Sequence, residues 1–250
     1  MTGLRATVYG AGGLLAFIGL WEAAAASGAT VDILLPPPSS LPATLISEIE
    51  LGFWQAMVIA SLQHYGVGLL LGSLLGVAVG TAVALSPGVE AAQSWVARVL
   101  RPIPPLAWIP FAIIWFGVSP TAAAFIISIG VFWINYFAAN AAVRAVDRDL
   151  LELARAFGHG GLLARLRKVI LPAAAPGILS GLRAGLGQGW MTVVAAELFG
   201  VTGVGQRMME AAGLLASEVV IVYMLTIALL YGVSDFRFMR VHDRILRWRA

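Results

Sequence analysis

The sequence predicts an all-α membrane protein with six transmembrane helices, and three observations support this fold class. Of its 250 residues, 60% are hydrophobic and only 12% are charged, whereas soluble domains carry about 25% charged residues. Crossing a hydrocarbon core of about 30 Å takes roughly 20 mostly apolar helical residues, and stretches of this kind recur along the chain. The basic residues are clustered between particular apolar stretches, as in proteins that have a fixed orientation in a membrane.

Six stretches are candidate spans. In chain order they cover approximately residues 8–27, 61–85, 103–119, 121–142, 176–199 and 216–234. The third contains Pro104, Pro105 and Pro110, which would kink a helix or delay its start. Proline is tolerated in a membrane where neighbouring helices satisfy the freed carbonyl groups. We therefore expect a short amphipathic surface helix over 88–101 that leads into a proline-bent third span.

The segment between the first two spans, residues 28–58, opens with a Pro/Ser-rich loop. It continues with apolar residues at helical spacing, namely Leu45, Ile46, Ile49 and Phe53. A plain interfacial connector and a surface helix that helps to dock an external partner are both compatible with this pattern. We expect three parts in the chain: residues 1–58, a transmembrane core over 59–235, and a tail over 236–250.

The basic residues fix the predicted orientation. If the N-terminus lies inside and six spans follow, 14 of the 16 Lys and Arg residues fall on the inner side or in the inner loops. Arg183 lies within the fifth span, and Arg207 alone falls outside. Because cytoplasmic loops carry an excess of Lys and Arg, both termini and the long loop over 143–175 are predicted to be cytoplasmic.

Within that loop, residues 150–172 read LLELARAFGHGGLLARLRKVILP. The pattern predicts two short amphipathic helices, with apolar stripes at Leu150, Leu151, Ala154 and Phe157 and at Leu162, Leu163, Leu166, Val169 and Ile170. Glycines in GHGG break the helix, and Pro172 ends the second helix or bends it into the next span. Periodicity alone leaves two interpretations open. The segment lies on the anionic inner leaflet, or it binds in a groove of a partner protein.

Two motifs in this loop carry a family resemblance. ELARAFG, residues 152–158, is followed after 11 residues by ILP, residues 170–172. The pair resembles the EAA loop of binding-protein-dependent ABC importer permeases. The stretches 101–117, 171–190 and 193–208 look like the nitrate/sulfonate/taurine branch of that family, and the match covers about 60–250. Leu153, where the motif prefers alanine, and the flexible residues after Gly158 depart from the pattern.

The resemblance implies a type I (MetI-like) permease fold and a set of partners. A homodimer of the permease would work in the bacterial inner membrane with two ATPase subunits and an extracytoplasmic solute-binding protein. The first short helix of the loop would sit in a cleft of an ATPase, which binds the ATP and magnesium, so that this chain needs no cofactor or metal of its own. The coupling residues implied are Glu152, Ala154, Arg155, Gly158, Ile170, Leu171 and Pro172. The implied cargo is a small anion, a sulfonate or taurine first and nitrate or bicarbonate next, with a neutral vitamin precursor also open.

Glycines recur every four residues in two spans. They are Gly68, Gly72, Gly76 and Gly80 in the second span, and Gly177, Gly181, Gly185 and Gly189 in the fifth. Small residues at this spacing allow helix backbones to approach closely in lipid. Static packing and a surface on which helices slide are both consistent with the pattern.

Polar side chains within the spans are candidates for the substrate pathway. The candidates are Asn135, Gln188, Trp190 and Glu197. Each has a structural alternative, since amides join helices by hydrogen bonds and Glu197 could accept hydrogen bonds from backbone amides. Arg183 either attracts an anion or extends its charge to the inner interface.

Catalytic and nucleotide-binding motifs are absent from the sequence. It contains no G-x-x-x-x-G-K-[ST] loop and no H-E-x-x-H motif, which argues against ATP hydrolysis and against a zinc enzyme. No basic run is interleaved with aromatic residues, so nucleic-acid binding is not expected. An ion-gradient-driven secondary transporter or channel is the alternative function, although such proteins usually carry coupling carboxylates near the membrane midplane.

Overall fold

The computed structural model describes residues 3–27, 34–158 and 161–247, and the regular structure within them is entirely helical. The helices are α1 (Gly3–Ala26), α2 (Leu41–Glu50), α3 (Phe53–Leu85), α4 (Pro87–Leu100), α5 (Ile109–Phe116), α6 (Pro120–Arg144), α7 (Arg148–Ala156), α8 (Leu162–Arg165), α9 (Leu171–Glu197), α10 (Val204–Gly213) and α11 (Ser217–Ile245). A π-helical turn, Leu166–Ile170, joins α8 to α9. The prediction of an all-α membrane protein is confirmed.

Five continuous helical segments of the described chain are long and apolar enough to cross a membrane. They are Val8–Ala26, Phe53–Leu85, Pro120–Arg144, Leu162–Glu197 and Ser217–Ile245. A sixth span exists only if α4 and Pro105–Phe116, which meet at a bend of 92°, are counted together. The surface helix predicted over 88–101 is confirmed as α4, and the third span predicted over 103–119 is bent at its prolines as expected but contains less helix than predicted. A 3₁₀ turn and the eight-residue α5 form it, and together they extend only about 20 Å.

Two helix boundaries also differ from the predictions. The second span begins at Phe53 rather than near residue 61, because Gly52 adopts a left-handed conformation with φ 78° and separates α2 from α3. The sixth span does not end near residue 234, since α11 continues to Ile245. Apolar content limits the predicted spans, whereas the helices themselves extend into the charged flanks.

Helices α3, α6 and α9 form the centre of the bundle, with α6 packed between the other two. Their shared core contains Tyr65, Ile127, Val131, Trp190 and Val193, each 6% exposed or less. The N-terminus of α6 is capped by the Ser119 hydroxyl, which accepts a hydrogen bond from the Ala122 N–H at 3.3 Å.

Both predicted glycine series face neighbouring helices at close range. A Cβ atom on Gly76 of α3 would lie 2.6 Å from the Phe132 carbonyl oxygen of α6, and one on Gly177 of α9 would lie 2.6 Å from the Ala142 Cβ. The same holds for Gly68, Gly72, Gly80, Gly181 and Gly185 against α6, and for Gly189 against Tyr65 of α3. Backbones in contact at these positions leave no room for a side chain.

The second half of the loop over residues 143–175, called here the predicted coupling loop, merges with the fifth span. Residues 162–197 form one helical segment, so the second short helix continues into the next span at Pro172 rather than ending there, and the segment begins well before residue 176. In the π turn the Leu171 N–H donates to the Leu166 carbonyl, five residues back. Pro172 has no N–H and its ring crowds the carbonyl four residues before it, and a π turn just ahead of it accommodates both effects without ending the helix.

Candidate functional site

The first helix of the predicted coupling loop, α7, is amphipathic and only partly covered. Asp147 caps its start by accepting from the Asp149 N–H at 3.0 Å. Ala154 is buried, but Leu150, Leu153 and Phe157 are 43%, 53% and 73% exposed. A group of exposed apolar side chains of this size often marks a surface that binds a partner protein.

A groove runs between α7 and the start of α9. Its volume is about 840 Å³, and its walls are formed by Leu150, Leu153 and Phe157 on one side and by Val169 and Pro172 on the other. The groove is therefore mainly apolar, although Asp147 and Lys168 also line it, and it lies within the predicted coupling loop. A mainly apolar groove of this volume can bind a short segment of another protein.

The turn after α7 depends on Gly158, which has φ 81°. Its N–H donates to the Arg155 carbonyl at 3.1 Å and closes the end of the helix. His159 and Gly160, which depart from the family pattern, lie outside the described residues. The first residue of the GHGG turn therefore has a left-handed backbone conformation.

The remaining predicted coupling residues divide into exposed and buried positions. Glu152 and Arg155 are exposed on α7, and neither forms an ion pair within the described residues. Ile170 is 4% exposed and packs with α6 residues, whereas Leu171 and Pro172 are exposed. The exposed members are accessible to a partner, and their coupling role stays a prediction.

Asn135, the first pathway candidate, is buried between three helices. It is 1% exposed and lies opposite both Gly76 of α3 and Gly185 of α9. Its Nδ2 donates to the Ser73 Oγ at 3.1 Å. These contacts favour the interhelical role of this amide over contact with a cargo.

Two further candidates lie on α9. Trp190 is 2% exposed, and its ring stacks on Tyr65 with a centroid separation of 4.3 Å. Gln188 donates to the Thr192 hydroxyl at 3.2 Å and lines a cavity of about 260 Å³ beside Gly130 of α6. Gln188 thus faces open space, whereas Trp190 is part of the core.

Glu197, the last candidate, is fully buried at the end of α9. One carboxylate oxygen accepts from the Ser61 hydroxyl at 2.8 Å and from the Gly205 N–H at 2.9 Å. The other lies 3.0 Å from the His64 Nδ1. Because every contact joins Glu197 to α3 or α10, its geometry favours a structural role.

Sequence reasoning missed the partners of Glu197. His64 precedes Gly68 by four residues and so continues the glycine series toward the start of α3. A polar residue in register with small residues that face a neighbouring helix must itself face that helix. This register was the available signal.

A second missed cluster joins α2, α10 and α11. Arg207 donates to both oxygens of Glu48, at 3.0 and 2.6 Å, and the Tyr223 hydroxyl donates to Glu48 at 2.9 Å. The hydrogen bonds from Arg207 lower the pKa of Glu48, against the opposing effect of burial, and the same contact raises the pKa of Arg207. The segment between the first two spans is therefore fixed to the bundle by its α2 helix.

Arg183 pairs with a carboxylate, which argues against the predicted anion-binding role, whereas the predicted extension of its charge to the inner interface stays a prediction. Its Nε and Nη2 atoms donate to the two carboxylate oxygens of Asp235 on α11, at 2.7 and 2.8 Å. A bidentate carboxylate occupies the guanidinium edge that an anion would need. The pair links α9 to α11.

Comparison with known proteins agrees with this geometry. The chain is 32% identical over 246 residues to the taurine transport system permease protein TauC of Escherichia coli. This match covers 96% of this chain and 89% of TauC. It is also 32% identical to the putative aliphatic sulfonates transport permease protein SsuC of Escherichia coli (92% and 88% covered). The bicarbonate transport system permease protein CmpB of Synechococcus elongatus is 34% identical (77% and 73% covered).

The fold has a counterpart of known structure. The MetNI methionine ABC transporter, solved in inward facing conformations, matches with a TM-score of 0.70 and 19% identity, covering 79% of this chain and 98% of that one. Residues 68–249 match the family described as "Binding-protein-dependent transport system inner membrane component". The chain therefore belongs to this family, and it is an ABC importer permease with the type I fold.

Proposed function

We propose that this permease moves a small anion into the cytoplasm, an organic sulfonate such as taurine first and a nitrate-like anion second. It would act by alternating access as a homodimer, with two ATPase subunits that bind ATP and magnesium and an extracytoplasmic solute-binding protein that delivers the cargo. The names of the taurine and sulfonate relatives support the cargo class, and the bicarbonate relative supports a small anion in general.

The uncovered apolar face of α7 is the observation that carries the ATP-driven part of the proposal. Phe157 is 73% exposed and a mainly apolar groove lies beside it. Burial of this apolar surface against a partner protein would be favourable, because it removes the surface from water. The basic residues of the same loop, Arg155, Arg165 and Arg167, support a position on the cytoplasmic side. We propose an ATPase subunit as the partner at this surface, because the chain belongs to a family of ABC importer permeases.

The proposed orientation follows from the same charges. Arg237, Arg240 and Arg244 extend α11 beyond its apolar part, on the side that also carries the coupling loop if the segments cross a membrane in alternation. We propose the bacterial inner membrane with both termini cytoplasmic, a core over 59–235, an N-terminal part over 1–58 and a tail over 236–250. A cysteine placed at Ser94 or at Ser47, the chain having none of its own, would label from the inner or the outer side respectively.

The decisive experiment is reconstitution. The permease would be placed in proteoliposomes with its candidate ATPase and binding-protein partners, and uptake of labelled taurine would be measured with and without ATP and with an ionophore. We expect uptake that requires ATP and resists the ionophore. Uptake that persists without the ATPase and collapses with the ionophore would identify a secondary transporter instead.

A matched pair of variants tests the coupling surface. Phe157→Ser removes the most exposed apolar side chain of α7, and we expect loss of ATPase binding and of ATP-dependent uptake. Phe236→Ser removes an exposed phenylalanine of α11 (57% exposed) that lies outside the groove, so we expect ATPase binding to persist. Equal binding by the two variants would exclude α7 as the docking helix.

A further inference from the structure

A polar cavity lies at the predicted inner end of the bundle, enclosed by α3, α4 and α6. Its volume is about 380 Å³. The polar side chains that line it are Gln93, Ser94, Arg98, Arg101, Tyr136 and Asn140. Amides, hydroxyls and guanidinium groups in one cavity provide many hydrogen-bond donors.

The charge of this cavity is positive. Glu90 also lines it but pairs with Arg144. In the described part of the chain, Arg98 and Arg101 have no carboxylate within ion-pair distance. This distinguishes them from Arg183 and Arg207, whose guanidinium groups are engaged by Asp235 and Glu48.

Aromatic rings hold both arginines. The Arg101 guanidinium carbon lies 4.4 Å from the centroid of the Phe137 ring, and that of Arg98 lies 5.5 Å from the Trp95 ring. Stacking of this kind engages the face of the guanidinium and leaves the N–H groups at its edge free to donate. Planar donors of this kind match the oxygens of a carboxylate, sulfonate or phosphate.

Arg101 stands where this cavity meets a second one. The second cavity, about 260 Å³, shares Arg101 and Phe137 with the first. It continues past Pro104 and Gly130 to Gln188 of α9. The arginine therefore lies between the inner end of the bundle and a cavity that leads toward its interior.

We infer that Arg101 and Arg98, with the amide donors of Gln93 and the Asn140 N–H that is not donated to the Gly80 carbonyl, form a subsite for a small singly charged oxyanion. A sulfonate, a nitrate-like ion and the phosphodiester of a lipid headgroup share this chemistry. As a step on the exit of the cargo to the cytoplasm, the subsite rests on the proposed function, whereas anion binding itself does not. Because Arg101 is exposed, its attraction is screened by solvent and salt, and weak binding is what release of a cargo requires.

The test uses the full chain in phosphatidylcholine nanodiscs, without ATPase or binding protein. The probe is trifluoromethanesulfonate, observed by the broadening of its ¹⁹F resonance on addition of the protein. We expect Arg101→Gln to weaken binding about fivefold, since one charge-assisted hydrogen bond at an exposed site is lost. Arg101→Lys, which keeps the charge, should retain part of the affinity.

The matched control is Arg240→Gln. Arg240 lies on α11 and stacks on Phe236 at 4.3 Å, outside both cavities, so its loss should leave the broadening unchanged. Equal thermal unfolding of the three variants and the parent would show that the fold is intact. Equal broadening by the parent and Arg101→Gln would overturn the subsite.

Nanodiscs that also contain phosphatidylglycerol separate the two sources of anion. Unchanged broadening supports a site for free anions, and competition by phosphatidylglycerol that Arg101→Gln removes supports the same site with a lipid headgroup as occupant. The proposed function is tested separately by taurine uptake. If the permease binds the probe through Arg101 but shows no ATP-dependent uptake, only the proposed function is wrong. If the permease takes up taurine but Arg101→Gln changes neither uptake nor probe binding, only the subsite is wrong.

Discussion

His64 and Glu197 form a buried pair in which the His64 Nδ1 lies 3.0 Å from the Glu197 Oε1, with side chains 4% and 0% exposed. The second oxygen of Glu197 accepts from Ser61 and from the Gly205 N–H, and the Ser61 hydroxyl in turn accepts from the Val204 N–H at 2.9 Å. A single carboxylate thus joins α3, α9 and the beginning of α10. Each polar group in the cluster is satisfied by another, so the loss of one leaves several without a partner.

Glu197→Ala should therefore destabilise the protein strongly. Removal of one member of a buried hydrogen-bonded cluster costs about 3 kcal/mol or more, because several remaining groups stay buried without partners. Thermal unfolding of the purified protein in detergent would measure the change. Glu210→Ala on α10, whose side chain is 49% exposed, is the control and should alter stability by no more than about 0.5 kcal/mol. A similar shift for both variants would show that the buried cluster contributes little.

Gly76→Ala should damage the bundle, and Gly66→Ala on the same helix should not. A Cβ on Gly76 would lie 2.6 Å from the Phe132 carbonyl oxygen and 2.9 Å from the Asn135 Cβ, whereas one on Gly66 meets nothing within 4 Å. We expect Gly76→Ala to cost about 1–3 kcal/mol, because α3 and α6 must move apart. Unfolding midpoints and the yield of folded protein would check this. If Gly76→Ala were as stable as Gly66→Ala, the close approach of the two backbones would be wrong.

Sequence patterns predicted the features that depend on local composition. The number of apolar stretches, the glycine series and the amphipathic α7 all follow from residues within one turn or one helix of each other. The coupling loop could be recognised because Glu152, Gly158 and Pro172 stand at fixed spacing. Its outward apolar face then follows from periodicity.

Features that depend on distant pairs could not be predicted in this way. Nothing in the sequence around Glu48 indicates Arg207, 159 residues away, and the same holds for the pairing of Arg183 with Asp235. The third span was predicted as bent at its prolines, but its helical length was overestimated for a different reason. Hydropathy shows only that the stretch is apolar over a sufficient length. Pro104 and Pro105 determine where the helix begins, and the stretch therefore forms a 3₁₀ turn followed by a short helix.

Stability should fall in acid because of the Glu48–Arg207 pair. Hydrogen bonds from Arg207 lower the pKa of Glu48 below its ordinary value of 4.5. A carboxyl whose pKa is lower in the folded than in the unfolded chain stabilises the fold above the unfolded-state pKa, and this contribution is lost as the pH falls through the folded-state pKa. We therefore expect the unfolding temperature to decline as the pH falls below about 4.5.

Two variants on α2 isolate this effect. Glu48→Gln should lower stability at neutral pH, since Arg207 loses its charged partner, and should flatten the decline in acid. Glu50→Gln, which changes an exposed carboxylate on the same helix, should keep the profile of the parent protein. Identical acid profiles for the parent and Glu48→Gln would assign the pH dependence to other groups.

Gly158→Pro should uncouple the permease from its ATPase while the bundle stays folded. Proline requires φ near −65°, but Gly158 has φ 81°, and its N–H, which proline lacks, donates to the Arg155 carbonyl. The end of α7 would therefore change direction and carry Phe157 away from the groove. Co-purification with the ATPase and ATP-dependent taurine uptake should both fall by at least about fivefold, as expected for strain of 1–3 kcal/mol at such a position.

Gly161→Pro provides the control for this variant within the same turn. Gly161 has φ −70° and ψ 144°, which proline adopts readily, and it precedes α8. An added Cβ at either glycine meets nothing within 4 Å, so the two variants differ in backbone conformation rather than in crowding. We expect Gly161→Pro to retain ATPase binding and uptake close to those of the parent. If both variants lost them equally, flexibility of the whole turn would matter, and if both kept them, the direction that Gly158 gives to α7 would not be needed for coupling.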